Sequence, residues 1–195
     1  MSDKNKSNLL LCITGSIAAY KSVDLARLFT KSNFDVRVIM TESAKEFITP
    51  LTLQAISGNQ IHENLLDVEA ERAMGHIELA KWADLILVAP CTAETISRLS
   101  QGRADDLLGA VILASQARVF LAPAMNMNMW SNETTQKNAE HLSSTGIDLM
   151  GPSKGEQACG DIGYGRMSEP EEIYETIMLT RSKPLDGKKI IITAG

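Results

Sequence analysis

The chain has 195 residues, 44% apolar and 22% charged, and its 19 Lys and Arg against 24 Asp and Glu leave a net charge of −5. That composition excludes a disordered, collagen-like or disulfide-stapled chain and suits one globular domain with a short excess. The acidic balance, without a Lys/Arg cluster, speaks against a nucleic acid partner. No apolar run approaches the ~18 residues of a membrane span. Cys12, Cys91 and Cys159 form no C-x-x-C pair, which argues against a disulfide framework or zinc knuckle and for a reducing cytoplasm.

After a polar tail over residues 1–8, Leu9–Thr14 reads as a buried strand, Gly15–Ser16 as a turn, and Ala18–Ser32 as a helix with Leu25, Leu28 and Phe29 inward. The apolar run at Leu9 is too short for a signal peptide. Phe34–Met40 alternates as a second strand, Thr41–Ser43 is a loop and cap, and a helix restarts at Pro50. Gly58–Gly75 lacks a period and is expected as a loop or lid. A short helix His76–Ala83 precedes Asp84–Ala89, the most apolar strand, which Pro90 ends.

Thr92–Ser100 and Asp105–Ser115 read as helices, Val119–Ala122 as a strand, Trp130–Ser144 as a helix and Ile147–Met150 as a short strand. Five glycines between Gly151 and Met167 predict a mobile loop, and Glu171–Thr180 a closing helix. Strand and helix alternate, so the expected fold is α/β: one doubly wound, mostly parallel sheet, flavodoxin-like or Rossmann-like, with helices on both faces over residues 9–181.

Ligands in such sheets bind beyond the carboxyl ends of the strands. Thr14–Ala19 lacks both the three-glycine dinucleotide fingerprint and the Gly-Lys-Ser/Thr of a P-loop. It suits a single phosphate: Gly15 lets the backbone approach, Ser16 offers a hydroxyl, and Ser43 and Thr92 after neighbouring strands offer two more. The same residues would serve equally as helix caps.

Among the histidines, His76 follows Gly75 at a helix start, whereas His62 and His141 stand without catalytic company. No His or Cys lies at ligand spacing from another, so no metal is expected. Cys12 and Cys91 sit in or beside apolar strands and read as packing thiols. Cys159, on a glycine-rich segment, does not. Pro123–Trp130 places Asn126 and three methionines directly after a strand; methionines there suit a flat aromatic ligand, the amide a carboxylate or ring carbonyl, and core packing explains the pattern as well.

Pro123-Ala-Met-Asn126-Met-Asn-Met129-Trp130 resembles the PxMNxxMW motif of the flavin-containing cysteine decarboxylases. Gly15-Ser-Ile-Ala-Ala-Tyr-Lys21, Gly75-His76 and Ala158-Cys159-Gly160-Asp-Ile-Gly-Tyr-Gly165-Arg-Met167 resemble the phosphopantothenoylcysteine decarboxylase branch of that family. The resemblance runs from about Leu9 to Thr180. Asp186–Gly195 resembles the opening strand of the phosphopantothenate–cysteine ligase domain that follows in bifunctional bacterial proteins, with residues 182–195 as linker and first strand and the remainder missing.

The resemblance implies an FMN-dependent carbon–carbon lyase of coenzyme A biosynthesis, converting 4′-phospho-N-pantothenoylcysteine to 4′-phosphopantetheine by oxidation to a thioaldehyde, loss of carbon dioxide and re-reduction. His76 would be the acid or base near the thiol, Asn126 would bind the carboxylate and Cys159 would donate a proton. Gly15, Ser16, Ser43 and Thr92, with Ile17 beside them, would hold the FMN phosphate, and Ala124 and Met125 would line the ring. Gly155–Met167 would clamp the substrate, with Ala158, Cys159, Gly160 and Met167 against it. A homo-oligomer built from trimers, up to a dodecamer, with FMN near subunit contacts is implied too.

Three neighbouring readings are weaker. A peptidyl-cysteine decarboxylase would stop at the ene-thiol and would need neither Cys159 nor the ligase-like tail. A non-catalytic flavoprotein regulator would not be expected to keep His76, Asn126 and Cys159 together. A flavin prenyltransferase would lack the Asn126 motif.

Overall fold

The computed structural model describes residues 6–65, 75–158 and 160–181. Among these, six strands form one parallel sheet: β1 (Ser7–Ile13), β2 (Phe34–Met40), β3 (Ile61–His62), β4 (Leu85–Cys91), β5 (Arg118–Pro123) and β6 (Asp148–Leu149). Their order, β3-β2-β1-β4-β5-β6, is the doubly wound order of the Rossmann-like arrangement, with its topological switch between β1 and β4. The register sets Leu9–Cys12 against Leu85–Val88 on one side and Ser7–Ile13 against Phe34–Met40 on the other. No described helix is long and apolar enough to cross a membrane.

Both faces of the sheet are covered, because successive β1 side chains point to opposite sides and those from Leu9 to Ile13 are all apolar. Leu9, Leu11 and Ile13 join a core with α1 (Lys21–Lys31), α3 (Pro50–Ser57) and α9 (Pro170–Arg181). Leu10 and Cys12 join a second core with α4 (His76–Trp82), α5 (Ala93–Ser100), α6 (Leu107–Ala114) and α8 (Glu133–Ser144). Two short helices, α2 (Glu42–Lys45) and α7 (Met127–Ser131), follow β2 and β5 at the site.

In the first core Phe29 of α1 is fully buried and meets Phe34 and Tyr174 edge-on, at centroid distances of 5.1 and 5.2 Å. The Tyr174 hydroxyl reaches Ser32 Oγ at 2.7 Å, so the ring closes α9 onto the end of α1. Phe29→Ala removes the shared ring of both pairs and leaves a cavity. We expect it to destabilise the fold by about 3–5 kcal/mol, read as a lower urea midpoint at unchanged slope.

Several elements depart from the sequence expectation. β1 starts at Ser7, inside the expected tail, because Asn8 donates from its backbone N to Asp84 Oδ2 (2.8 Å) and from Nδ2 to Trp82 O (2.8 Å). The first helix opens as a 3-10 turn, Ile17–Tyr20, before α1. The expected Trp130–Ser144 helix is two, broken at Asn132, whose Oδ1 accepts from Thr134 N and caps α8. The part of the expected Gly58–Gly75 loop that is described carries the edge strand β3; residues 66–74 of it lie outside the described residues.

The largest departure is the glycine-rich segment. It is an antiparallel ribbon, β7 (Ser153–Glu156) paired with β8 (Ile162–Arg166), and not a loop. Its glycines serve close approach: Met125 N donates to Gly165 O (2.9 Å), and a Cβ on Gly165, at φ 151°, would lie 2.3 Å from Met125 O. Residues 182–195, with the expected ligase-like strand, lie outside the described residues.

Candidate functional site

At the switch point the carboxyl ends of β1 and β4 part. The ladder between β4 and β5 shifts register between Val88 and Cys91, and Thr14 spans the gap, its Oγ1 donating to Pro90 O (2.7 Å) and accepting from Thr92 N (3.2 Å). Above this opening lies a cleft of about 1290 Å³. Pockets for a single drug-sized ligand run to roughly 1,000 Å³, so this one has room for a nucleotide-sized cofactor with a second molecule beside it.

One wall gathers residues that follow strand ends, as the strand-end rule predicts. Gly15, Ser16, Ile17, Ser43 and Thr92 all line the cleft. Gly15 is required by proximity, since a Cβ there would stand 2.5 Å from Ser43 Oγ. The cap reading of two hydroxyls holds: Ser16 Oγ accepts from Ala18 N (3.2 Å) and Thr92 Oγ1 from Thr95 N (3.3 Å). A hydroxyl that accepts in this way keeps its own hydrogen to donate to a ligand oxygen.

The opposite wall comes from the turn after β5 and from the ribbon. Ala124, Met125, Asn126, Ala158 and Met167 line it. Asn126 has a fixed amide orientation: Oδ1 accepts from Asn128 N (2.8 Å) as the cap of α7, which leaves Nδ2 directed at the ribbon, 3.3 Å from Asp161 Oδ2. His76 opens α4, half-buried, and Gly160 is exposed near the ribbon's tip; neither is among the cleft-lining residues. Cys159 lies outside the described residues.

Two residues that sequence reasoning passed over shape this wall. Lys21 is buried, and its Nζ donates to Met167 O (2.9 Å) and to Glu169 Oε2 (3.0 Å), tying the ribbon's root to α1. A buried ammonium needs such partners, and its only sequence signal was its place in the Gly15–Lys21 motif. Gln157 is the other, and no periodicity marks it.

Partial burial works to raise the Glu169 carboxyl, but the Lys21 ammonium and the Arg166 guanidinium outweigh it and hold the group below the usual carboxylate range. A depressed folded-state value means that stability from this tie is present above the unfolded value, near 4.3, and is lost as pH falls through the lower folded one. Protection of the β8 backbone amides, taken relative to the intrinsic exchange rate at each pH, is expected to fall below about pH 4 in the wild type. In Glu169→Gln it should be lower already at neutral pH, with a flatter response to acid.

Burial, with the Asp106 carboxylate and Cys91 nearby, pushes the Cys12 thiol far up, and burial does the same to Cys91. Both are protonated packing groups and carry no chemistry.

The fold, the hydroxyl-lined crevice and the methionine wall are those of a flavoprotein, and the chain belongs to the Flavoprotein family, which it matches over residues 1–182. It is 53% identical over 193 residues, 98% of its length, to the coenzyme A biosynthesis bifunctional protein CoaBC of Haemophilus influenzae, and 50% identical over 189 residues to that of Escherichia coli K12. It covers 48% and 47% of those two proteins, so the chain spans about half the length of the curated relatives it matches.

Among solved structures it resembles a cysteine-to-serine variant of PPC decarboxylase complexed with pantothenoylaminoethenethiol, at 35% identity and TM-score 0.80, covering 90% of this chain and 98% of that one. It also resembles the FMN binding protein AtHal3, at 35% identity and TM-score 0.78, covering 91% of this chain and 97% of that one.

Proposed function

We propose that the chain is the FMN-dependent decarboxylase of 4′-phospho-N-pantothenoylcysteine, producing 4′-phosphopantetheine for coenzyme A. The observation that carries this reading is the cleft itself: one wall of hydroxyls around Gly15 suits a phosphate, and the other presents the Asn126 amide N–H to a carboxylate. The relatives at 53% and 50% identity and the 35% identical PPC decarboxylase support it.

The cleft passes a test of fit for FMN. The Gly15–Ser43 approach leaves no room for a side chain, three hydroxyls face the opening, and Ala124 and Met125 offer an apolar surface to a flat ring. Bound there, FMN supplies a two-electron acceptor that oxidises the substrate cysteine and later returns the electrons. Ser16, Ser43 and Thr92 hold the phosphate, and Ile17, Ala124 and Met125 flank the rest.

The chain's own part is position and protons. Asn126 Nδ2 holds the substrate carboxylate, so that carbon dioxide departs toward the ribbon. His76 moves the thiol proton. Cys159 gives its proton to the carbon left by carbon dioxide, and Ala158, Gly160 and Met167 close over the substrate and exclude water.

We propose further that the working unit is a trimer-based homo-oligomer in the cytoplasm. His76 stands outside this chain's cleft lining, which suits a site completed where copies meet. The experiment is direct: the chain mixed with FMN and gel-filtered should keep a yellow flavin band, run as an oligomer, and release carbon dioxide from carboxyl-labelled substrate. A colourless chain, or a yellow one that releases none, overturns the reading.

A further inference from the structure

Gln157 follows β7 directly and reaches across to the turn that carries Asn126. Its Oε1 accepts from Met127 N at 3.1 Å and from Asn126 Nδ2 at 3.4 Å, while its Nε2 stands 3.5 Å from Tyr164 O. The backbone of the same residue closes the ribbon's tip: Gln157 N donates to Asp161 O (2.8 Å) and Gly160 N donates to Gln157 O (2.9 Å). The first N–H groups of a helix lack partners within it. In α7 the two leading ones are met by side chains, that of Asn128 by Asn126 and that of Met127 by Gln157.

We infer that Gln157 is a positioning and specificity-determining residue, which holds the Asn126 amide with Nδ2 outward through a neutral acceptor and so reserves that donor for an anionic group. This rests on the reading of Asn126 as the carboxylate-binding residue. The second contact of Nδ2 points the same way. Asp161 Oδ2 lies 3.3 Å from it, so the chain's own carboxylate already stands where an incoming one would bind. An incoming carboxylate displaces Asp161, whose charge repels it, and leaves Gln157, whose amide does not. A glutamate at this position would repel the ligand from the side that now orients its donor.

The test compares two unreactive ligands on the FMN-loaded chain by calorimetry: 4′-phospho-N-pantothenoylserine, which keeps the carboxylate, and its carboxamide. In the wild type the carboxylate form binds more tightly. Gln157→Glu should reduce that preference about tenfold or more at pH 7.5 and regain part of it toward pH 5, as the new carboxyl begins to protonate. Gln157→Leu, which loses the bonds without adding charge, should reduce it less and show no such recovery. Binding of the carboxamide reports that each variant is folded and the cleft intact. A wild-type preference in both Gln157 variants, with the preference abolished in Asn126→Ala, overturns the role of Gln157 alone. A preference that survives Asn126→Ala overturns the assignment of Asn126, and the inference with it.

Discussion

Asn126→Asp is expected to lower kcat/KM for carbon dioxide release by at least about 100-fold while leaving the chain folded. Aspartate caps a helix as well as asparagine does, so the bond from Asn128 N and the start of α7 survive. What disappears is the Nδ2 donor, and a negative charge takes its place, beside Asp161 and facing the substrate carboxylate. A hydrogen bond to a charged group contributes about 1.5–3 kcal/mol, and repulsion adds to the loss, which is why the fall exceeds that of a simple truncation. Steady-state rates with an unfolding midpoint as control decide it. A fall below about threefold in a folded variant contradicts the assignment.

The second large effect is a change of product. Cys159→Ser is expected to release carbon dioxide yet fail to form 4′-phosphopantetheine, so that the oxidised ene-thiol accumulates. A cysteine thiol, with an ordinary pKa near 8.5, can supply a proton to carbon in the return step, whereas an alcohol is a far weaker acid. The neighbouring Ala158 lines the cleft. Formation of 4′-phosphopantetheine by Cys159→Ser at the wild-type rate would remove Cys159 from the proton-donor role.

The sheet was legible because its strands are continuous apolar runs. Leu85–Val88 and Leu9–Ile13 are buried on both faces and admit no other reading. The lining of the cleft was largely legible for a related reason: in a doubly wound sheet the residues after the strands gather beyond the sheet's carboxyl edge, and Gly15, Ser43, Thr92 and Asn126 all line the same cleft there. His76 sits at a helix start, where that rule says nothing, and only the resemblance pointed to it.

The ribbon was not legible. Its strands carry Lys154, Glu156 and Arg166 and bury few apolar side chains, so period-2 hydrophobicity never appears. Its glycines suggested mobility, yet Gly163 and Gly165 are small because Met127 and Met125 O lie against them. Gln157 and the buried Lys21 act through hydrogen bonds between segments as far as 30 and 146 residues apart in sequence, and local pattern holds no trace of such partners.

The most direct test of the proposed chemistry is mass spectrometry of the products after the purified, FMN-loaded chain is mixed with 4′-phospho-N-pantothenoylcysteine in the absence of oxygen. The account predicts a fully reduced product lighter than the substrate by carbon dioxide alone, formed over many turnovers without an added reductant. A product that also lacks two hydrogens would mean that the return step belongs elsewhere, and unchanged substrate beside bound flavin would contradict the decarboxylase itself.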